Sequence, residues 1–373
     1  MDLICFIEEK MQTLSKEKSD LCFKHLDVKA MKRFELFYKK VNERSEFLAG
    51  YRKSYEAPDD ALGIEVEYFH PTITYDDRMR YICENLVANN KISKTNKVAN
   101  IVISHFYGAR GIHQVLTGKQ DPFEAYVDFD LLAKEQQKSV LTKKPGEYSY
   151  WLRQHCFEQH KKKQPFWGTT ELHTSLQGAA GKFVSSLYGE KIKAPSNLAE
   201  WIGSWINDGT VDKILSVNSM KELYDVFSTV SGVGPYYAYH GAASGSNNFD
   251  VNVYHDERFC EPGPGAKETA INLFPELSQK AVTLSERVIW IRENQTQIMD
   301  VPVIHKSRHN ITVNDKHIYP DPQDELKTYG TEVGMCQFSV YERLRANPHL
   351  ISKRKVSRAK LETNVCSLED FMR

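Results

Sequence analysis

Ionisable side chains are concentrated between residues 249 and 259. Apolar residues alternate at positions 249, 251 and 253, which predicts an extended segment that delivers Asp250, Asn252 and His255 to one side. Asp256 follows directly, so carboxylates and one imidazole stand close together. Such groups are suited to general acid–base catalysis, and histidine titrates nearest to neutral pH. Taken alone, however, the segment is more typical of a capped loop with a surface charge cluster.

A rigid turn follows at residues 261–267, where the sequence reads Glu-Pro-Gly-Pro-Gly-Ala-Lys. Proline is favoured at the first position of a helix, so this turn is expected to open a new helix. The free backbone amides of Gly263 and Gly265 would then point at whatever precedes that helix and form a nest for an anion. The stretch as a whole predicts acid–base chemistry beside a phosphate.

A second glycine turn lies at residues 230–239, which read Val-Ser-Gly-Val-Gly-Pro-Tyr-Tyr-Ala-Tyr. One helix is expected to end before Gly232 and Gly234, and another to begin at Pro235. This is the pattern of a helix-hairpin-helix, which holds one nucleic-acid phosphate through backbone amides without reading the base sequence. A tight packing turn between two helices accounts for the same residues equally well.

Helices must position these turns, because apolar residues along the chain recur mostly at spacings of three and four. We therefore predict a mainly α-helical protein, with a short hairpin or ordered loop over 301–322. A boundary near 135–165 would separate an amino-terminal helical region, 1–135, from a region that contains the helix-hairpin-helix, 136–373, and the two could share one core. The predicted helices cover 29–53, 76–89, 95–116, part of 134–164, 277–297 and 331–345, with short helices capped by Asn197 and Ser219.

The composition describes a globular protein without naming its partner. The 373 residues include 49 basic and 49 acidic side chains, so global charge gives no argument for nucleic-acid binding. Residues 353–360 nonetheless hold five basic residues in eight, among them Lys353, Arg354 and Lys355, which would contact a DNA backbone or merely solubilise the surface. No apolar run long enough to span a membrane, no secretory signal and no Cys-x-x-Cys pair is present. We therefore expect a cytoplasmic protein without a membrane partner or a structural zinc site, and we assign no metal ligands.

Four blocks of the sequence are similar, in order, to motifs of one enzyme family. The specific blocks are residues 232–239, Gly-Val-Gly-Pro-Tyr-Tyr-Ala-Tyr, and residues 263–266, Gly-Pro-Gly-Ala; the weaker blocks are 102–109 and 334–341. Together they resemble the phage α-glutamyl/putrescinyl thymine pyrophosphorylases, also called amino acid:DNA transferases. His240 stands where that family usually has glutamine, Gln337 replaces its glutamate and Val340 its lysine. The resemblance covers roughly 95–345 and implies an architecture like that of helix-hairpin-helix DNA glycosylases.

The resemblance implies a reaction on modified DNA. In that family a kinase first phosphorylates 5-hydroxymethyluracil in phage DNA, and the transferase then displaces pyrophosphate with an amino acid or amine. The implied partners are double-stranded DNA that carries modified uracil and the amino acid or amine, and the implied location is the host cytoplasm. The resemblance implies no particular cofactor and does not exclude a divalent metal. Related kinases share a helical domain, but this sequence lacks the Gly-x4-Gly-Lys-[Ser/Thr] loop, which favours a transferase.

Roles for individual residues follow from that reaction. His255, Asp256 or Asp250 would take the proton of the incoming amine. Lys267 and Arg258, with the amides of Gly263 and Gly265, would stabilise the departing pyrophosphate. An arginine fork for an amino-acid carboxylate would come from Arg258 or Arg110, and further substrate contacts from Asn252, Tyr239 and His240. Contacts to the DNA phosphates, or stacking on an extruded base, are assigned to Gly232, Gly234, Pro235, Tyr236, Tyr237, Phe106 and Tyr107. The aromatic residues among them are also typical core residues.

Two other functions account for parts of the pattern. The glycine turn and the downstream segment Phe-Asp-Val-Asn-Val also resemble helix-hairpin-helix DNA glycosylases, in which Asp250 would be the catalytic carboxylate. A DNA-binding module without catalytic activity is the third possibility. Cys260 lies near the expected site, but the lone cysteines show no sign of nucleophilic activation in the sequence, and buried packing is their default role.

Overall fold

The computed structural model describes residues 14–48, 82–108, 111–164, 166, 174–189, 191, 193–245, 258–299, 312–313, 316–317 and 328–350. The chain divides into two compact units. The first unit comprises Met1–Asp76, Asp256–Asn310 and Pro320–Lys355, and the second comprises Asp77–His255, Ile311–Tyr319 and Val356–Arg373. Each unit combines segments that are distant in sequence, and the boundary predicted near 135–165 lies inside the second unit.

Helices form nearly all the regular structure of the described residues, which confirms the prediction of a mainly α-helical fold. A π-helical turn covers Ile82–Val87. A two-residue antiparallel pair, β1 (Thr312–Val313) and β2 (Lys316–His317), lies within the region predicted as a hairpin or loop. The α-helices are α1 (Lys16–His25), α2 (Val28–Leu48), α3 (Lys94–Tyr107), α4 (Ile112–Thr117), α5 (Phe129–Thr142), α6 (Glu147–Lys161), α7 (Thr174–Tyr188), α8 (Asn197–Asn207), α9 (Thr210–Ser216), α10 (Met220–Thr229), α11 (Pro235–Gly245), α12 (Pro264–Leu273), α13 (Leu284–Glu293), α14 (Gln295–Ile298) and α15 (Thr328–Ala346).

The core of the first unit is the contact of α2, α12 and α15. Phe34 and Phe37 of α2 meet Phe338 of α15, with ring centroids 5.1 and 5.7 Å apart in edge-to-face geometry. A Cβ atom at Gly334 would lie 1.7 Å from the hydroxyl oxygen of Tyr38, so only glycine permits this approach of α15 to α2. Aromatic burial and glycine contacts thus hold the unit together.

One buried arginine organises the segment between α12 and α13. The guanidinium of Arg287 donates to main-chain carbonyls of residues 274, 277 and 282, and its side chain is 1% exposed. Those residues form turns, and Thr283 and Glu286 then form a capping box that starts α13. The single helix predicted over 277–297 is therefore wrong, because a capping box begins a new helix within it.

The second unit is built around α3, whose residues from Asn96 to Tyr107 are all buried. This helix contacts α5, α8 and α11. It ends at Gly108, which has a φ of 65° in the left-handed region, and α4 starts after Gly111, at a φ of 66°. The continuous helix predicted over 95–116 is consequently two helices, since both glycines adopt a conformation that breaks the helical path.

Buried polar side chains connect α3 to its neighbours. The side-chain amide of Asn100 donates to the carbonyl of Val127 and its oxygen accepts from the Val127 amide, both over 2.9 Å. The Nε2 atom of His113 lies 2.9 Å from the Asn100 carbonyl. A carbonyl can only accept, so this nitrogen carries the proton. Burial lowers the pKa of His113 to about 4, which keeps the ring neutral.

A buried carboxylate joins α6, α7 and α8. Glu200 is fully buried, and the guanidinium of Arg153 donates two hydrogen bonds of 2.6 Å to its oxygens. The hydroxyls of Ser149 and Tyr188 donate to the same carboxylate over 2.8 and 3.0 Å, and Arg153 lies 4.0 Å above the Tyr188 ring. This bidentate pairing with extra hydroxyl donors compensates the carboxylate for lost hydration and fixes three helices relative to one another.

Candidate functional site

The glycine turn of the second unit joins α10 to α11 over residues 230–234. After α10 ends, the amide of Val233 bonds to the carbonyl of Val230 over 3.0 Å, which closes a tight turn. Gly232 sits in this turn with a φ of 95°, a conformation that residues with a side chain rarely adopt. Pro235 is the first residue of α11, as predicted from its missing amide hydrogen. The helix–turn–helix order predicted from the sequence is present.

The turn is exposed but anchored by one side chain. Ser231 and Gly232 are exposed, whereas Val233 is buried beneath them. A Cβ atom built at Gly234 meets no atom within 4 Å. Packing within the described residues therefore explains Val233, and backbone geometry explains Gly232. Neither explains Gly234, and its open surface leaves room for a ligand to approach the backbone closely.

The aromatic residues considered for stacking on a base lie mostly in the core. Tyr239, Phe106 and Tyr107 are fully buried, and Tyr237 is 6% exposed. These four rings present no face to a base, in agreement with their interpretation as core residues. Tyr239, for which a substrate contact was expected, therefore has a packing role. Tyr236 is half-buried and keeps part of its ring at the surface.

Two buried histidines lie beneath this surface. The ring of His240 in α11 stacks on His105 in α3, with centroids 6.3 Å apart and planes 15° from parallel. The half-buried ring of Tyr236 lies 4.2 Å from His240. Imidazoles are suited to proton transfer near neutral pH. His240 was expected from its place in the motif, but His105 was not, because only the packing of α3 against α11 brings it here.

The second glycine turn, in the first unit, has its amide occupied by the same chain. The backbone amide of Gly263 donates to a side-chain oxygen of Glu332 over 2.8 Å, and both residues are buried. The expectation of a free amide at Gly263 is therefore wrong. A carboxylate from α15 fills the position at the start of α12 that an anionic ligand would take.

Gly265 has a packing role as well. A Cβ atom there would lie 2.7 Å from the hydroxyl oxygen of Ser339 and 2.8 Å from the sulfur of Cys336. The amides of Gly265 and Ala266 hydrogen-bond to that sulfur, yet burial and the nearby Glu332 raise the pKa of Cys336 to about 12. The amide nest predicted at Gly265 is thus filled by a protonated thiol, and close contact of α12 with α15 explains the glycine.

Two cationic side chains flank this turn at the surface. Arg258 is exposed, and the side chain of Lys267 is 44% exposed. The ammonium group of Lys267 lies 3.4 Å from a carboxylate oxygen of Glu261, a separation typical of a loose ion pair. Both cations therefore lie at the surface of the first unit.

Several expected site residues lie outside the described residues, and the described ones belong to both units. Gly232, Gly234, Pro235, Tyr236, Tyr239 and His240 belong to the second unit; Arg258, Gly263, Gly265 and Lys267 belong to the first. Outside the described residues are Asp250, Asn252, His255, Asp256, Arg110, Lys353, Arg354 and Lys355.

No metal cluster is found in the described part of the chain, and three of its cysteines are buried. Within the described ranges, no three histidine, cysteine, aspartate or glutamate side chains come together as a metal site. Cys22, Cys156 and Cys260 are buried free thiols, and burial raises the pKa of Cys22 to about 12. Among the described helices, none combines the length and the apolar character that crossing a membrane requires.

Comparison with known protein families gives a match over most of the chain. A family model described as the helical domain of 5-hmdU DNA kinase matches residues 32–350. The matched range contains both glycine turns and runs from within α2 to beyond the end of α15. No curated protein and no solved structure matches the chain.

Proposed function

The chain belongs to the family of the 5-hmdU DNA kinase helical domain, and from this premise we propose that it is a transferase acting on modified uracil in DNA. Its substrate would be phosphorylated 5-hydroxymethyluracil, and an amino acid or amine would replace the phosphate or pyrophosphate. The observation that carries the proposal is the family match, which extends over 32–350. These 373 residues contain no Gly-x4-Gly-Lys-[Ser/Thr] loop for a nucleotide triphosphate, which favours transfer over phosphorylation.

The proposed reaction is a substitution at the exocyclic methylene carbon of the base. The amine nitrogen forms the new C–N bond with its lone pair, the C–O bond breaks, and pyrophosphate leaves with that electron pair. The amine then gives up a proton, for which His255, Asp256 and Asp250 are the proposed acceptors. Accessible cations stabilise the negative charge that grows on the leaving group, a role that suits Lys267 and Arg258.

The turn between α10 and α11 would hold the DNA backbone in this proposal. Its glycines, of which Gly232 is exposed and Gly234 half-buried, and the beginning of α11 have the form of a helix-hairpin-helix, and a helix beginning is favourable for a phosphate. The open space around Gly234 supports this role, because a phosphate oxygen must come within hydrogen-bond distance of the backbone. The contact would position the DNA without selecting its sequence.

Nucleoside mass analysis tests the proposal directly. The full chain is incubated with DNA carrying pyrophosphorylated 5-hydroxymethyluracil and a pool of amino acids and amines, and the DNA is then digested to nucleosides. The expected product is a thymidine derivative that has gained the mass of one amine and lost its phosphates. DNA with unphosphorylated 5-hydroxymethyluracil is the control and should stay unchanged.

The same experiment separates the alternatives. Release of free base, with formation of abasic sites, would indicate a glycosylase instead of a transferase. The helix-hairpin-helix form of the turn is also compatible with a glycosylase. DNA binding with no change in any nucleoside would indicate a binding module. Incorporation of phosphate from a nucleoside triphosphate would indicate a kinase.

A further inference from the structure

A cavity of about 790 Å³ opens in the second unit between α7, α8 and the end of α6. Four basic side chains line it: His160 from α6, Lys182 from α7, and Lys191 and Lys193 from the segment that precedes α8. None of the described residues that line it is acidic. We call this cavity the basic groove.

The lysines approach the groove from two different elements. Lys182 belongs to a helix, whereas Lys191 and Lys193 belong to the connecting segment, and all three are exposed. Further exposed cations, Lys162 and Lys163, follow His160 in the sequence. The chain as a whole has no net charge, so among the described residues this grouping is a local excess of positive charge. Such an excess attracts anions, and on a polyanion several phosphate contacts add up because each one releases counterions.

The helix surface within the groove is smooth. A Cβ atom built at Gly178 meets nothing within 4 Å, and at Gly181 the nearest atom is the side-chain nitrogen of Asn197 at 3.9 Å. Packing in the described residues does not require glycine at either position, and both are glycines inside a helix, where glycine costs about 1 kcal/mol relative to alanine. Their absent side chains leave room for another backbone beside α7.

The groove is built on fixed elements. The pairing of Glu200 with Arg153 and Tyr188 joins α6, α7 and α8, the helices that line the groove. The hydroxyl of Tyr107 donates to the carbonyl of Pro195, which anchors the segment that carries Lys193. Lys182 and Lys193 therefore project from an anchored frame, so little ordering of the backbone is needed there when a ligand binds.

We propose that the basic groove binds the sugar–phosphate backbone of duplex DNA. This inference rests on the proposed function only in taking DNA as the substrate. Three lysines would contact phosphates as point charges, and the glycine surface would let the strand lie close to α7. The contacts add affinity without reading base sequence.

The experiment compares three variants of the full chain with the unchanged protein on a short, unmodified DNA duplex. The groove variant is Lys182→Gln/Lys191→Gln/Lys193→Gln, and a matched control, Lys29→Gln/Lys32→Gln/Lys39→Gln, removes the same charge from exposed positions on α2. Gly178→Leu obstructs the groove without changing charge. Thermal unfolding of each variant checks that it is folded.

Binding is measured between about 50 and 200 mM KCl, where each lost phosphate contact lowers the slope of log affinity against log salt by about 0.9. For the groove variant we expect a slope lower by about 2 to 3 and an affinity at least roughly tenfold weaker at low salt. Gly178→Leu should weaken binding, and the α2 control should change the slope by less than about 1. An unchanged slope in the groove variant, or equal losses in both triple variants, overturns the proposal.

A transfer assay on pyrophosphorylated DNA separates this inference from the proposed function. If the inference holds, the groove variant needs more DNA for half-maximal transfer but reaches the same rate at saturation. Transfer by the unchanged protein with no shift in the variant overturns the groove alone. DNA binding that depends on the groove, without transfer by the unchanged protein, overturns the proposed function alone.

Discussion

The carboxylate of Glu332 accepts a hydrogen bond from the backbone amide of Gly263 over 2.8 Å. The contact joins α15 to the start of α12, and Glu332 is fully buried. A carboxylate is favourable at this end of a helix, where the dipole is positive. A turn that has the local sequence of an anion nest thus already holds an anion from its own chain, so its glycines serve the packing of the first unit.

Replacing Glu332 by alanine should destabilise the protein by about 1–3 kcal/mol, since the buried amide of Gly263 would lose its acceptor. Glu332→Gln keeps an acceptor oxygen and should cost less. Urea unfolding of both variants measures the difference, with Glu268→Ala on the exposed face of α12 as the control. Equal stability of Glu332→Ala and the unchanged protein would contradict the structural role of this contact.

Gly334→Ala should destabilise the first unit strongly, by about 3 kcal/mol or more, because its Cβ atom would lie 1.7 Å from the Tyr38 hydroxyl oxygen. Gly178→Ala is the matched control, since its Cβ atom meets nothing within 4 Å; there the better helix propensity of alanine should add up to about 1 kcal/mol. Denaturant unfolding of the two variants gives both values. Similar effects at the two positions would show that the close approach of α15 to α2 is incorrect.

Helices were predictable from the sequence where apolar spacing or a capping residue of the helix itself indicates them. Spacings of three and four identified α2 and α15, and the hydroxyl of Ser219 caps α10 as expected, accepting from the amide of Glu222 over 3.1 Å. Asn197 does not cap α8, because Ser196 occupies that position and directs its hydroxyl towards Glu200. Helix ends were least predictable, since a left-handed glycine or a buried carboxylate decides them.

The candidate site was predictable only where it is local. The turn at 230–235 follows from its own residues, and the relation to the helical domain of the kinases, which the resemblance implied, is confirmed by the family match. The partners of Gly263 and His240, by contrast, are Glu332 and His105, on other helices. The sequence alone does not predict the basic groove, because only the fold brings Lys182, Lys191 and Lys193 to the same cavity as His160.

Glu200→Ala should cost about 3–5 kcal/mol, because it leaves the guanidinium of Arg153 and two hydroxyls without their buried acceptor. The exposed pair of Lys221 and Asp225 provides the control, and Asp225→Ala should cost less than about 1 kcal/mol. Thermal or denaturant unfolding measures both. A cost below that of the exposed pair would mean that this network does not hold α6, α7 and α8 together.

Stability should fall on acidification through the titration of His113. Burial lowers its pKa from 6.5 to about 4, so between these values the unfolded chain binds a proton that the folded chain does not. The folded state should lose up to about 3 kcal/mol as the pH drops from 6.5 to 4. His113→Gln keeps a donor for the Asn100 carbonyl and should flatten this dependence, whereas His349→Gln at an exposed position should not. Unfolding free energies of the three proteins, measured across this pH range, test the prediction.

The two glycines of the turn between α10 and α11 should respond differently to alanine. Gly232 has a φ of 95°, so Gly232→Ala should cost about 1–2 kcal/mol of stability. At Gly234 a Cβ atom meets nothing within 4 Å and φ is not positive, so Gly234→Ala should fold as stably as the unchanged protein.

If a phosphate approaches the backbone at Gly234, the methyl group added by Gly234→Ala would stand in its path, and DNA affinity should fall several-fold without loss of stability. Filter binding or fluorescence anisotropy with a short duplex measures the affinity. Unimpaired binding by Gly234→Ala would leave the packing turn as the interpretation of this segment, because a glycine that tolerates a side chain in the complex makes no close contact with the DNA there.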